Sequence, residues 1–303
     1  MGTPNPNYGS GVFRRRLHWR ALPGRVEAAL EDSNHGFRLC LRHDGSHIVA
    51  VEAEPVRYPF MTCPEAVRSV QHIVGLELGA VAAQRDSLPQ PGNCTHLIDM
   101  ALLAAAHAGD AGSPITERFY DIAVTDECDG VTQARIECGG QKVHDWTIRA
   151  HTIEQPAELA GKPAMRGFYA WAAQAFSGMP LEAAQALQRG YFVAQARRWS
   201  YEPIEQNPAS TDGMPVGACY SYNTGAVERA RRIKGSVLKP RQNVECASRG
   251  FNFARRAAAR PVSVSPSSST AIPGPSATTS RSLPCRCASS SPESMSSRQS
   301  MVT

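Results

Sequence analysis

The stretch Pro91-Gly-Asn-Cys-Thr-His-Leu-Ile-Asp-Met100 gathers side chains that can do chemistry. Asn93 has the type of a helix N-cap, which predicts Cys94, Thr95 and His96 in a first helical turn. Free backbone N–H groups there can hold an anion or a developing oxyanion, and a helix terminus lowers the pKa of a thiol. On that helix His96 and Asp99 are neighbours at i, i+3. Asp99 would then orient His96 as a general base, with Cys94 as a candidate nucleophile and Thr95 as a substrate contact. Plainer uses compete. An Asp and a His near a helix start can simply cap it, and Cys94 can be a small buried residue. His107 lies about 16 Å further along the axis and cannot share the site. His96 and Asp99 lack a third ligand at metal spacing, so no metal is expected.

A second stretch, Tyr8-Gly-Ser-Gly-Val-Phe-Arg-Arg-Arg-Leu17, opens a strand. Alternation puts Arg14 and Arg16 on one face and Phe13 and Arg15 on the other. Two arginines on one face can clamp a carboxylate or phosphate, which makes Arg14 and Arg16 candidate substrate-binding residues. Arg15 reads as charge that protects an edge strand. Tyr120, at the start of a later strand, is a further substrate-contact candidate. His144, Trp146, Trp171, Trp199, Tyr220 and Tyr222 read first as core packing. No Walker loop, dinucleotide fingerprint, G-x-S-x-G or H-E-x-x-H occurs, and no cofactor is expected.

The elements that must carry these residues follow from periodicity. Val12–Arg20, Arg25–Asp32, Phe37–Arg42 and His47–Glu54 alternate as strands, with Asp44-Gly45 as a hairpin signal. Cys63–Gly75 reads as a helix, Asp86–Asn93 as a loop, and about Cys94–His107 as a second helix. Strands return at Phe119–Thr125, Val131–Cys138 and Gln141–His151, with Gly139-Gly140 as another hairpin signal. Met165–Phe176 and Leu181–Trp199 read as helices, followed by a short strand at Ala218–Tyr222 and a small helix near Ala226–Ile233. Strands in groups, separated by helix pairs, predict an α+β fold with antiparallel sheet built from hairpins. No internal repeat stands out.

Composition divides the 303 residues. Beyond Cys246 there are seven Arg, no Lys and one acid, Glu293, a charge of +6; residues 1–245 hold 25 basic and 26 acidic side chains, a charge of −1. The basic excess therefore belongs to the tail, and a nucleic-acid partner is not expected of the body. Ser and Pro dominate this tail, so disorder is expected. Its abrupt change in residue usage also fits a GC-rich gene read out of frame. The expected organisation is a flexible N-terminus over residues 1–11, a single α+β domain over 12–238, and a disordered Ser/Pro/Arg-rich tail over 239–303. No apolar run approaches the about 20 residues of a membrane helix, and no signal peptide is apparent. A cytoplasmic protein with free thiols is expected, since no Cys pair has C-x-x-C spacing.

Several pieces together resemble a bacterial family of domains of unknown function. They are the Tyr8–Arg16 start, the hairpin Phe37-Arg-Leu-Cys-Leu-Arg-His-Asp-Gly45, Cys63-Pro64, the Cys94-Thr-His-Leu-Ile-Asp99 segment, Ala218-Cys-Tyr-Ser-Tyr222 and Gly235-Ser-Val237. The resemblance spans roughly residues 8–238. It implies that Arg14, Arg16, Cys94, His96 and Asp99 occupy signature positions, and it brings no activity or cofactor. The residues favour a cofactor-independent lyase, isomerase or hydrolase acting on a small apolar or aromatic acid or acyl compound. A non-catalytic small-molecule-binding or accessory protein of catabolism stands beside that reading. Oligomeric state is left open.

Overall fold

Inward-facing apolar rows on successive strands build one sheet that a layer of helices covers. The computed structural model describes residues 2–81, 92–201 and 206–238. A short strand β1 (Thr3–Pro4) is followed by a four-stranded meander, β2 (Val12–Leu22), β3 (Arg25–Asp32), β4 (Gly36–His43) and β5 (Ile48–Arg57). Helices α1 (Leu78–Val81) and α2 (Thr95–Ala106) come next. A second meander, β6 (Glu117–Thr125), β7 (Val131–Cys138), β8 (Gln141–Arg149) and β9 (Thr152–Gln155), leads to α3 (Phe168–Ala175), α4 (Gly178–Ala194) and the short β10 (Trp199–Ser200). The eight long strands form one antiparallel sheet in the order β5-β4-β3-β2-β6-β7-β8-β9. The fold is α+β. The strand order is symmetric about the central β2/β6 pair, where Leu17 faces Tyr120 and Arg16 faces Asp121.

The two faces differ as period-2 side chains require. Phe13, Leu17, Trp19 and Ala21 of β2, Val26, Ala28 and Leu30 of β3, and Tyr120, Ile122 and Val124 of β6 are buried on the inner face. On the outer face, arginines pair with acids across strands: Arg16 with Asp121 at 2.6 Å, Arg20 with Glu27 at 2.7 Å and Arg135 with Asp145 at 2.8 Å. Pairs of this kind each contribute only up to about 1 kcal/mol. Burial of the inner face against α2 and α4 holds the fold.

Four expectations change. Cys63–Ile73 forms two 3-10 segments, Cys63–Val67 and Ser69–Ile73, and no α-helix. Val67, Val70 and Ile73 recur every third residue, which is the 3-10 period. Tyr220–Tyr222 is a 3-10 turn and no strand, and Ala226–Ile233 is turn structure. The N-terminus is tied down: Thr3–Pro4 pairs with Trp199–Ser200, and the amides of Gly9 and Gly11 donate to Asp126. The strand β9 had no sequence signal of its own. The tail over 239–303 and most of the loop Asp86–Asn93 lie outside the described residues. Among the described residues no helix is long and apolar enough to cross a membrane.

Helix α4 crosses β6 closely at Gly190, where an added Cβ would lie 2.7 Å from Ile122 Cγ2. Ile122 is buried and β-branched, so its methyl has no easy escape. Gly→Ala inside a helix ordinarily stabilises by about 1 kcal/mol. Here Gly190→Ala should destabilise by about 1–3 kcal/mol instead. Urea unfolding followed by circular dichroism reads the sign, and a stabilised variant contradicts the close crossing.

Candidate functional site

Because β2 alternates, Arg15 must point inward with Phe13 and Leu17. It is 1% exposed, and register places it opposite Asp32, the last residue of β3, which is fully buried. A lone buried charge is very costly, and the pair answers that cost for both partners. Arg15 donates to Asp32 Oδ2 through Nε at 2.9 Å and Nη2 at 2.5 Å. The other carboxylate oxygen, Oδ1, accepts the backbone N–H groups of Asn34 at 2.7 Å and His35 at 2.8 Å. It also faces the Nδ1 of the His35 ring at 3.2 Å. Burial alone would raise the Asp32 carboxyl. The Arg15 guanidinium, with the neighbouring His35 ring and its hydrogen bond, outweighs it and holds the group well below the usual carboxylate range. Asp32 is therefore an anion around which the β3–β4 turn is wrapped. Arg57 pins the same turn, donating to the carbonyls of Ser33 at 2.9 Å and His35 at 3.0 Å.

His96, in the first turn of α2, completes the cluster. Its Nε2 lies 3.2 Å from Arg15 Nη2, and its ring centroid is 4.0 Å from that of His35. A guanidinium can only donate, so His96 Nε2 accepts and the ring proton sits on Nδ1, 3.9 Å from the Cys94 sulfur. Burial, then His35 and Arg15, lower the His96 pKa well below its ordinary value. His96 is neutral, with its basic nitrogen already engaged. His35 differs. Asp32 holds its Nδ1, while its Nε2 has no partner among the described residues, and the ring is 13% exposed to a cavity.

Two cavities meet at this cluster, and His96 lines both. The larger, about 690 Å³, has His35, Phe37, Phe60, Cys94, Met165 and Phe192 in its wall. The smaller, about 650 Å³, lies between the inner sheet face and helices α2 and α4, with Leu17, Leu30, Met100 and Leu103 in its wall. At its far end Glu182 accepts from Tyr120 and meets His107 Nε2 at 2.5 Å, while His107 Nδ1 meets Asp110 at 2.7 Å. His107 stacks on Trp19 at 3.6 Å. These polar groups satisfy one another.

The sequence candidates are thus divided. Asp99 binds Arg189 of α4 at 2.6 Å and ties two helices together, and the His96 ring takes its contacts from Arg15, His35 and Cys94. Cys94 is the N-cap of α2, one residue later than the expected Asn93. Burial pushes its thiol up, and the His96 and Leu97 amides pull down too weakly to offset it. Burial therefore works against the activated thiolate expected there. Thr95 lines the larger cavity beside Cys94. Tyr120 is buried on the inner face and lines the smaller one. Arg14 and Arg16 sit on the outer face, away from His96, with Arg16 held by Asp121. The residues gathered at His96 are Arg15, Asp32 and His35.

Asp32, His35 and His96 offer ligand atoms within 4.8 Å of one another. The Arg15 guanidinium already bonds both Asp32 and His96, so a cation already sits against two members of that donor set. A divalent ion would stand beside an unneutralised arginine, and the cluster does not fit a metal well.

Residues 20–109 match the family model described as a protein of unknown function, DUF2889. The matched segment carries Asp32, His35, Cys94, His96, Asp99 and His107, and agrees with the uncharacterised domain family that the sequence resembles. No curated protein and no solved structure matches the chain.

The neutral state of His96 has a sign in pH. Its folded pKa is depressed, so below about pH 6.5 the unfolded chain takes up a proton that the folded one refuses. Stability is therefore lost as pH falls through that range, by up to about 1.4 kcal/mol per unit from this group. His18 and His144 are lowered too and act in the same direction. His96→Gln should flatten the slope of urea stability between about pH 7.5 and 5.5. An unchanged slope contradicts a buried neutral His96.

Proposed function

We propose that the protein is a cofactor-independent enzyme, a lyase, isomerase or hydrolase, acting on a small, largely apolar acid or acyl compound held in the larger cavity. His35 is the base and Asp32 orients it. The supporting observation is the bond between Asp32 and His35 Nδ1, together with the place of the His35 ring in the cavity wall. An anionic carboxylate that fixes an imidazole tautomer is the arrangement general-base chemistry uses. His96, with Nε2 taken by Arg15, serves as a positioning residue. Cytoplasmic location belongs to the same proposal.

That engagement of His96 also favours a second reading, a ligand-binding protein without turnover. The two separate on one experiment. Esters, thioesters and α,β-unsaturated acyl compounds are incubated with the full chain and products followed by NMR. Catalysis by His35 predicts that His35→Gln lowers kcat/KM by about 100-fold or more while binding and melting temperature stay close to the parent. Undiminished turnover in that variant removes His35 from the mechanism. Binding without turnover by the parent protein leaves the second reading.

A further inference from the structure

The free-acid and acyl classes admitted above can be separated by the charges in the cavity wall. The arginines that line the larger cavity are Arg197, Arg198 and Arg232. Each is matched by a carboxylate. Arg197 binds Asp126 at 2.6 Å, Arg198 binds Glu127 at 2.8 Å, and Arg232 binds Asp212 at 2.7 Å. Arg197 gives both Nε and Nη2 to Asp126. Arg232 also stacks on Tyr201 at 3.6 Å and Phe60 at 4.5 Å, so its faces are covered by rings. Arg15, behind His96, is matched by Asp32. Among the described residues the wall therefore holds no arginine or lysine without a carboxylate partner. A carboxylate leaving water for this cavity would meet no unmatched arginine, and an ionised group without such a partner is disfavoured.

The mouth points the same way. Trp199, Met214, Ile233 and Val237 all line this cavity and are between 37% and 52% exposed. Apolar side chains scattered singly need no cause, but four gathered at one opening do. They form a lipophilic rim leading to a wall of Phe37, Phe60, Met165 and Phe192.

We propose that the larger cavity takes an uncharged lipophilic carbonyl compound, of the ester or ketone class, and discriminates against the corresponding free acid. The ligand enters across the apolar rim and sets its polar end toward His35. The proposal rests on the cavity being the ligand site and narrows what that site accepts.

The test uses two fluorescent probes of one ring skeleton: N-phenyl-1-naphthylamine, which is neutral, and 1-anilinonaphthalene-8-sulfonate, which carries one sulfonate. Both are titrated into the full chain at about 0.5 M NaCl, which screens the seven arginines of the tail. The neutral probe should saturate with a Kd about tenfold or more below that of the sulfonate. Glu127→Gln leaves Arg198 without its carboxylate at a pair only partly buried. It should tighten the sulfonate several-fold and leave the neutral probe unchanged. Sulfonate binding as tight as the neutral probe in the parent overturns the selectivity and leaves the cavity as a ligand site. A Glu127→Gln variant that moves both probes alike overturns the charge-matching argument. Saturable binding of neither probe overturns the proposal together with the cavity reading beneath it.

Discussion

The buried ion pair between Arg15 and Asp32 is the constraint on which the site depends. A strand that faces Phe13 and Leu17 inward carries Arg15 with them, and the neighbouring strand ends on Asp32 directly opposite. Neither charge tolerates burial alone, since breaking such a pair costs about 3–5 kcal/mol. As a pair they add little net stability. Their effect is positional: one Asp32 oxygen is taken by the guanidinium, and the other organises the turn that carries His35. The spare reach of Arg15 then fixes His96 and its tautomer. One charge pair thus sets the roles of two histidines and places them where two cavities meet.

Burial also decides the thiol. A helix N-terminus lowers a thiol pKa, while an apolar surrounding raises it. At Cys94 both act, and the fully buried sulfur stays protonated because desolvation is the larger effect. The same desolvation neutralises His96. Packing thus works against charge on Cys94 and His96, the groups that sequence spacing marks as reactive, while His35 lies in a turn at the cavity wall. The smaller cavity, despite Glu182, His107 and Asp110, is a closed set of mutual hydrogen bonds that joins the sheet to α4.

Alternation and tight-turn residues made most strands legible. Arg25–Asp32 and Val131–Cys138 have the bounds their patterns suggest, and α2 falls within a residue of its expected ends. The helical reading of Cys63–Gly75 failed for an identifiable reason. Val67, Val70 and Ile73 satisfy both a loose α count and a strict 3-10 count, and periodicity over so short a segment does not separate them. The site was less legible. Placing Phe13 and Arg15 on one face contained the decisive fact, because the face of Phe13 is the core face; that step identifies Arg15 as buried. Asp32 and His35 carry no comparable signal, being an Asp and a His three apart in a turn. Asp99 likewise meets Arg189, ninety residues along the chain, where spacing pointed to a neighbour on its own helix. Pairings that are set by strand register and helix packing are not written in local spacing.

Arg15 and Asp32 hold the two imidazoles in the Nδ1–H form, His96 by a bond to its Nε2 and His35 by a bond to its Nδ1. Ring ¹⁵N chemical shifts, read by long-range proton–nitrogen correlation on the full chain, test it directly. Free histidine favours the Nε2–H form. His96 should show a protonated Nδ1 and a bare Nε2 at neutral pH and keep this form on acidification to about pH 5.5, and the neutral form of His35 should be the Nδ1–H tautomer. A protonated Nε2 on His96, or an Nε2–H tautomer on His35, would contradict it.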